Sequence, residues 1–593
     1  MAPKSFLIKL SGNVTIRNHE KVSLETNTQI SKGKLKESLY EIGLRIGIKI
    51  PLDQEEAAYL VDEQGLIITS KLMDGGVYYI SGENFSESES CELHKDACNI
   101  GLSPDIPVAW AFDKRVLLHQ PNDHRSQETP HRLKRALDML IHVEYSNEIL
   151  PKELLASFGN GYTKNFTTNI SKFIASRLAS DEEILDFHVS SVYSDFLKTG
   201  KPLRNLPGDV YCNDQTSRIA VKLSSAAVID TCTLILQNSE KCAGGNYCPK
   251  SDPLIGFCLI RPPGHHCMAN RPSGFCLVNN VAIAAQQILT KKLILGQTPR
   301  IAILDLDVHY GEGTASFVDN YSFDNDKSFP LLYLSLHRFD QGHFYPHERE
   351  GGNDFIGINH IGSILNVAVD TNAHEAENCY KVISDFLIEK TMKDIFIPKL
   401  TEFNPDLVIV SLGFDAAYGD PLGKMAVEGG FSLAMSMLKY WCIYEQVDSF
   451  PFISSTLNFP TRRHKPVGLV AVLEGGYNPE KVSHGIVAVA YALTYPPWDK
   501  RVQQYSQLHI PKTWSDLRKK QERRLHELDQ INKEREDMEN DIQLHEKPIE
   551  LPMMVIDDDT LMEKHLVWCE YVINNTIQCH QAALSQQKRA IYI

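Results

Sequence analysis

With 593 residues, 43% of them hydrophobic, the chain exceeds one compact unit and divides into roughly two to four, which excludes a disordered or disulfide-stapled protein. Its 75 acidic against 60 basic side chains, a formal charge of −15, exclude binding by broad phosphate contact; no direct nucleic-acid partner is expected, and basic partners are steered inward. The opening MAPKSFLIKLSG does not form a secretory leader, no apolar run reaches about 18 residues, and the 13 cysteines make no paired C-x-x-C framework. Reduced thiols, a place in the nucleus and/or cytoplasm, and neither secretion nor a membrane span are therefore expected.

In chain order, SFLIKLSGN and VTIRNH predict a hairpin around Gly12-Asn13, and Leu35, Leu39, Ile42 and Ile46 predict a helix. AAYLV, LIITS and VYYISG predict further strands, so residues 1–100 are expected to form a small ubiquitin-like β-grasp domain. The stretch YLVDEQGLIITSKLMDGGVYYISGENF resembles the end of a doublecortin domain, a microtubule-associated β-grasp. A polar linker follows at 83–96. From 105 to 500, apolar strands alternate with helical segments, the pattern of an α/β domain with a mainly parallel sheet. Residues 501–593 predict a helical extension. Its charged part carries an apolar seam at Leu528, Ile531, Met538 and Ile542, interrupted by Arg535, and KPIELP ends it; Thr560 with Glu563 resembles a capping box for a last helix. LRKKQERR (517–524) reads equally as a solvated helix face or a nuclear signal.

Five apolar runs of the central region end in polar or glycine-rich segments: LIGFCLIRPPGHH, RIAILDLDVHYGEG, LLYLSLHRFD, LVIVSLGFDAAYGDP and VGLVAVLEGGYN. Continuous apolar runs suit parallel strands buried on both faces, and ligands bind beyond the carboxyl ends of such strands, so all five are expected to face one rim. Asp307 and His309, two apart at a strand end, can leave the same face, and Asp415 can supply a third ligand. Two carboxylates and an imidazole can hold zinc with a position left open. Alone, either aspartate would more often cap a helix; together with His309 they favour a metal. His265 and His266, after Pro262-Pro263-Gly264, are candidates for general base and acid, with Asp305 and Glu312 as carboxylate partners. Tyr477 can polarise a carbonyl, and Gly274 and Gly476 let backbone approach a substrate. His337, His343 and His347 tempt a second metal site, but a satisfied loop is the simpler reading.

The ordered segments RPPGHH, GFCLVNNVAIAA, DLDVHYGEGT, SLHRFD, GFDAAYGDPLG and LEGGYN, across about 105–490, resemble the histone deacetylase superfamily, in forms closest to its class II members. The resemblance implies an arginase/deacetylase-type three-layer α/β fold and zinc-dependent hydrolysis of acetyl-lysine. It implies zinc on Asp307, His309 and Asp415, catalytic roles for His265, His266 and Tyr477, and a structural potassium near Asp305, Asp307, His309, Ser335 and Leu336. It places Phe275 and Tyr345 along an acetyl-lysine tunnel, where the family usually has two phenylalanines, Leu422 at its mouth, and Asp209 on the substrate backbone. Two positions depart from the family: Tyr310 stands where a second histidine is usual, and Glu312 where aspartate or asparagine is. Acetylated proteins, foremost core histone tails, are the expected substrates and partners; tubulin, acetylpolyamines and a weakly active acetyl-lysine-binding scaffold are the alternatives. The helical tail is the candidate surface for self-association or a corepressor-type complex.

Overall fold

The computed structural model describes four strands within residues 1–104, most of 107–495, with the longest breaks at 155–170 and 445–465, and the helix 559–591. The chain divides into two compact units, Met1–Pro104 and Asp105–Ile593. In the first, β1 (Ser5–Leu10), β2 (Val22–Ser23), β3 (Tyr59–Asp62) and β4 (Val77–Ser81) form one sheet in the order β2-β1-β4-β3. The central pair β1/β4 is parallel and both outer pairs are antiparallel. The segment expected to pair with β1 (14–19), the expected helix, the LIITS strand, the 83–96 linker and the seam of the tail all lie outside the described residues.

The second unit is built on eight strands: β5 (Val108–Ala111), β6 (Lys172–Phe173), β7 (Ile255–Cys258), β8 (Ile301–Asp305), β9 (Leu331–Arg338), β10 (Ile364–Val369), β11 (Leu407–Leu412) and β12 (Gly468–Leu473). Their order is β10-β9-β8-β11-β12-β7-β5-β6, and every pairing is parallel. β7, β8, β10, β11 and β12 are buried at every residue, and β9 at all but its last, because helices cover both faces of the sheet. The five apolar runs are β7, β8, β9, β11 and β12, five adjacent strands at the centre of the sheet. Asp305 lies level with Ser411 on one side and Ser335 on the other, so the polar ends of these strands emerge at one level.

Seven helices matter below: α1 (Pro130–His142), α2 (Gln215–Ala243), α3 (Asn280–Lys291), α4 (Glu312–Asn320), α5 (Gly430–Lys439), α6 (Pro479–Thr494) and α7 (Asp559–Ile591). α2 packs with α3 and over β7 and β12, while α6 packs with α1 and α5. Among the described residues one helical stretch, Thr216–Cys242 within α2, is long and apolar enough to cross a membrane, although no such run was expected. It is 67% buried inside the unit, and its polar residues are engaged there: Lys222 pairs with Asp181, and Arg218 donates to the Leu197 carbonyl. Its apolar character is that of a core helix.

The end of the extension is an integral part of this unit. α7 packs against the edge strand β10 and buries His565, Trp568, Cys569, Val572, Ile573 and Thr576, a single face at three- and four-residue spacing. His565 bonds the Ser384 hydroxyl (2.9 Å) and the Tyr380 carbonyl (2.6 Å), and Lys390 pairs with Glu570 at 2.7 Å. An uncovered edge strand is a template for aggregation, and on β10 the Asn353 side chain takes up the Ala368 N–H and carbonyl.

Candidate metal-dependent active site

Beyond the end of β8 the chain runs through Asp305, Asp307 and His309, and each turn is fixed by backbone donors. The Asp307 N–H donates to Asp305 Oδ1 (3.2 Å), the His309 N–H to Asp307 Oδ1 (3.0 Å), and the Gly475 N–H to Asp307 Oδ2 (2.9 Å). From the neighbouring β11, Asp415 accepts the Val308 N–H at 2.9 Å. One ligand atom each from Asp307, His309 and Asp415 lies within 4.8 Å of the others, all buried, the only such group among the described residues. His309 Nδ1 is 3.1 Å from Asp307 and 3.0 Å from Asp415. A side chain at Gly475 would press on both carboxylates, so glycine there keeps the cradle open.

The electrostatics fit a cation. Burial and the neighbouring Asp307 charge push Asp415 up to about 6. Burial would depress His309, but its hydrogen bonds to both aspartates overcome that and lift it to about 10. Two carboxylates that can be buried together only by drawing in a proton form a site that a divalent ion would neutralise. This donor set, one imidazole and two carboxylates with no thiol, suits zinc.

The two histidines enter from the loop after β7. Glu474, fully buried, accepts the Gly264 N–H at 2.6 Å and the His265 N–H at 3.3 Å, while the Ser411 hydroxyl holds its other oxygen at 3.1 Å. His265 Nδ1 donates to Asp305 Oδ2 at 3.1 Å, an oxygen that also takes the Tyr333 hydroxyl at 2.9 Å. His266 Nδ1 is paired with Glu312 Oε2 at 2.6 Å. The environments drive the two imidazoles apart. Burial opposes charge on His265, but Asp307 and Asp305 raise it well above its ordinary value. Burial, then the charges of His265 and His309, hold His266 well below.

Glu312 stands at the partner position expected for His266, and its burial sets its charge. Glu312 is 3% exposed, and burial pushes its own carboxyl up to about 8, so it offers His266 little negative charge at neutral pH.

Tyr477 follows Gly475-Gly476, the latter at φ 108°. Its N–H donates to Asp420 at 2.6 Å. Arg132, fully buried on α1, donates to the carbonyls of Glu474, Gly475 (2.7 Å) and Gly476 (2.7 Å) and lies 5.5 Å from the Tyr477 ring centre. Burial raises the Tyr477 phenol well above its usual range, so it keeps the proton a hydrogen-bond donor needs.

Phe275, half-buried at φ 64°, lies 5.3 Å from the Tyr477 ring, and Tyr345 lies 5.0 Å from His266. The Tyr345 hydroxyl bonds Ser273 at 2.7 Å and Asp209 at 3.2 Å, and the same Asp209 oxygen accepts the Gly274 N–H at 3.1 Å. Asp209 thus ties two walls together. Gly274, at φ 51°, lies against His266, whose ring a side chain would strike. Leu422 is partly buried and donates its N–H to Asp420 at 2.8 Å. Ser335 and Leu336 lie on β9 beside the end of β8, with the Ser335 hydroxyl on His337 at 2.8 Å. His337 is buried, with its second nitrogen on the Gly351 carbonyl, and belongs to no metal-holding group among the described residues.

Sequence reasoning missed four residues. Glu474 and Asp420 sat unremarked inside quoted motifs, and Phe344 stacks on His309 at 5.1 Å beside the expected Tyr345. Arg132 pairs locally with Glu128, but the three carbonyls it holds lie more than 340 residues away, where no local pattern points.

Residues 126–493 match the family model described as a histone deacetylase domain. Histone deacetylase clr3 of Schizosaccharomyces pombe is 27% identical over 438 residues, 72% of this chain and 52% of that protein. Histone deacetylase HDA1 of Candida albicans is 31% identical over 54% of this chain and 33% of its own length. Its namesake in Saccharomyces cerevisiae is 30% identical over 55% and 39%. The chain thus spans between a third and about half of the length of these relatives. The crystal structure of the HDA15 HD domain is 26% identical, with a TM-score of 0.47, covering 68% of this chain and 93% of that one.

Proposed function

Because the chain belongs to the histone deacetylase family, we propose that it is a zinc-dependent hydrolase that removes acetyl groups from lysine side chains of proteins, with core histone tails as substrates. The observation that carries this reading is the buried Asp307–His309–Asp415 set beside His265 and His266, each paired with its own carboxylate, and the buried Tyr477. Zinc held by those three residues would supply a Lewis acid for the amide carbonyl and for activating water. His266, kept neutral, takes the proton of the attacking water and passes it to the departing lysine amine. His265, with its Nδ1 on Asp305, can hold a proton beside the developing oxyanion. The Tyr477 hydroxyl donates to that oxygen, in a position set by Arg132 and Asp420. Phe275 and Tyr345 line the path of the acyl-lysine chain, Leu422 its mouth, and Asp209 braces the walls.

A structural potassium at Asp305, Asp307, His309, Ser335 and Leu336 belongs to the same proposal, supported by the in-register pairing of Asp305 with Ser335. The charge of −15 favours basic tails over acidic partners. Residence in the nucleus and/or cytoplasm, a β-grasp fold for residues 1–100 and complex formation through the extension complete the reading. The test is turnover by the full chain on acetylated histone-tail peptides, acetylated tubulin peptide and acetylpolyamines. The reading requires the highest kcat/KM on the histone peptides; faster turnover of acetylpolyamines would replace its substrate.

A further inference from the structure

Tyr310 and Glu312, the two departures from the family pattern, line one cavity of about 260 Å³ beside the catalytic loop. α4, which begins at Glu312, forms one wall, and the 348–359 loop forms another. Glu350 is exposed and Glu348 half-buried at the rim, and half-buried Phe355 with exposed Ile358 makes up the apolar part of the lining. Of the Glu312 carboxylate, Oε2 is committed to His266. The leftover Oε1 is buried and has no hydrogen-bond partner among the described residues. Buried polar atoms are almost always satisfied, so this one is an acceptor awaiting a ligand or water. Asp319, also on the wall, is committed: one oxygen accepts the N–H groups of Ile358, Asn359 and His360. Arg271, 54% exposed, reaches Glu348 at 3.5 Å and the Met268 sulfur at 3.7 Å, both at the surface.

We propose that this cavity is a second ligand site, for a small organic ammonium ion. Glu348 and Glu350 select positive charge at the rim, and a bound ammonium would favour the ionised form of Glu312, whose unpartnered oxygen can then receive an N–H from it. The volume and the Tyr310, Phe355 and Ile358 surfaces select an alkyl chain over a hydrated metal ion, and aromatic faces favour an ammonium group. Through Glu312 the bound cation acts on His266, so the site can modulate turnover from behind the loop. It is distinct from the acetyl-lysine path and stands whether or not histones are the substrate.

The test is calorimetric titration of the zinc-loaded full chain with n-butylammonium chloride, n-butanol and magnesium chloride at constant ionic strength. Butylammonium should bind saturably, with a dissociation constant on the order of millimolar, and butanol should not. Glu312→Gln and the surface pair Glu348→Gln/Glu350→Gln should each weaken it at least about tenfold, with circular dichroism and zinc content unchanged. The surface pair keeps the test readable if the buried variant fails to fold. No saturable heat, equal binding of butanol, displacement of the amine by magnesium, or an affinity unchanged in the surface pair would each overturn the proposal; the last would place the amine in the acetyl-lysine path instead.

Discussion

Glu312 Oε2 lies 2.6 Å from Nδ1 of His266, and the same carboxyl is 3% exposed. Burial raises it from 4.5 to about 8, so the folded chain holds a proton there that the unfolded chain releases near 4.5. The sign follows from linkage: between those values the native state binds more protons, so this group's contribution to stability is lost as pH rises toward 8. Glu312→Gln keeps the shape and cannot ionise. Wild type should lose thermal stability relative to this variant as pH rises from 5 to about 8.5, read as Tm against pH. Parallel Tm curves for the two proteins would mean that Glu312 is ordinary in the native state.

Tyr477→Phe removes one hydroxyl and leaves the Asp420 and Arg132 contacts to backbone intact. It should lower kcat by roughly 10²–10³ with Tm and zinc content unchanged, as loss of one oxyanion donor does elsewhere. Steady-state kinetics beside metal analysis checks both halves.

Arg132→Met should unsettle the fold and the chemistry together. It strips three carbonyls of the 474–476 turn of their donor and leaves Glu128 with Arg261 as its only guanidinium partner among the described residues. Breaking one side of a buried ion pair costs about 3–5 kcal/mol. Denaturant unfolding should show that loss, and kcat should fall because the Tyr477 turn loses its clamp.

Trp568→Ala should separate stability from chemistry. The side chain is 7% exposed on the face of α7 that packs on the unit, with the His565 ring as its neighbour. Truncating a buried aromatic costs about 3–5 kcal/mol, so Tm should drop while kcat per folded molecule stays at the wild-type level.

Much of the site was legible because its strands are buried on both faces and therefore read as unbroken apolar runs, so the first ionisable residues after each run mark the rim. That logic brought Asp307, His309, Asp415, His265, His266 and Tyr477 to one place. It could not find Arg132 or the commitment of Glu474 to the Gly264 and His265 N–H groups, because both depend on contacts more than 200 residues apart. Nor could it give the electrostatics of Glu312: pattern identified the partner of His266, but only packing reveals that burial outweighs the charge. α7 was legible as a helix, whereas its docking on β10 was hidden behind the charged segment that precedes it. The apolar content of α2 was diluted in the sequence by Arg218, Lys222 and Asp230, whose engagement in the fold only the tertiary structure reveals.

The most direct test of zinc-dependent deacetylation at Asp307, His309 and Asp415 is acetate release from an acetyl-lysine peptide by the full chain, stripped with a chelator and then supplied with stoichiometric zinc. The account predicts that stripping abolishes release, that zinc restores it in wild type, and that Asp415→Ala neither retains the metal nor recovers. Undiminished release from the stripped wild-type chain, or full recovery in Asp415→Ala, would contradict it.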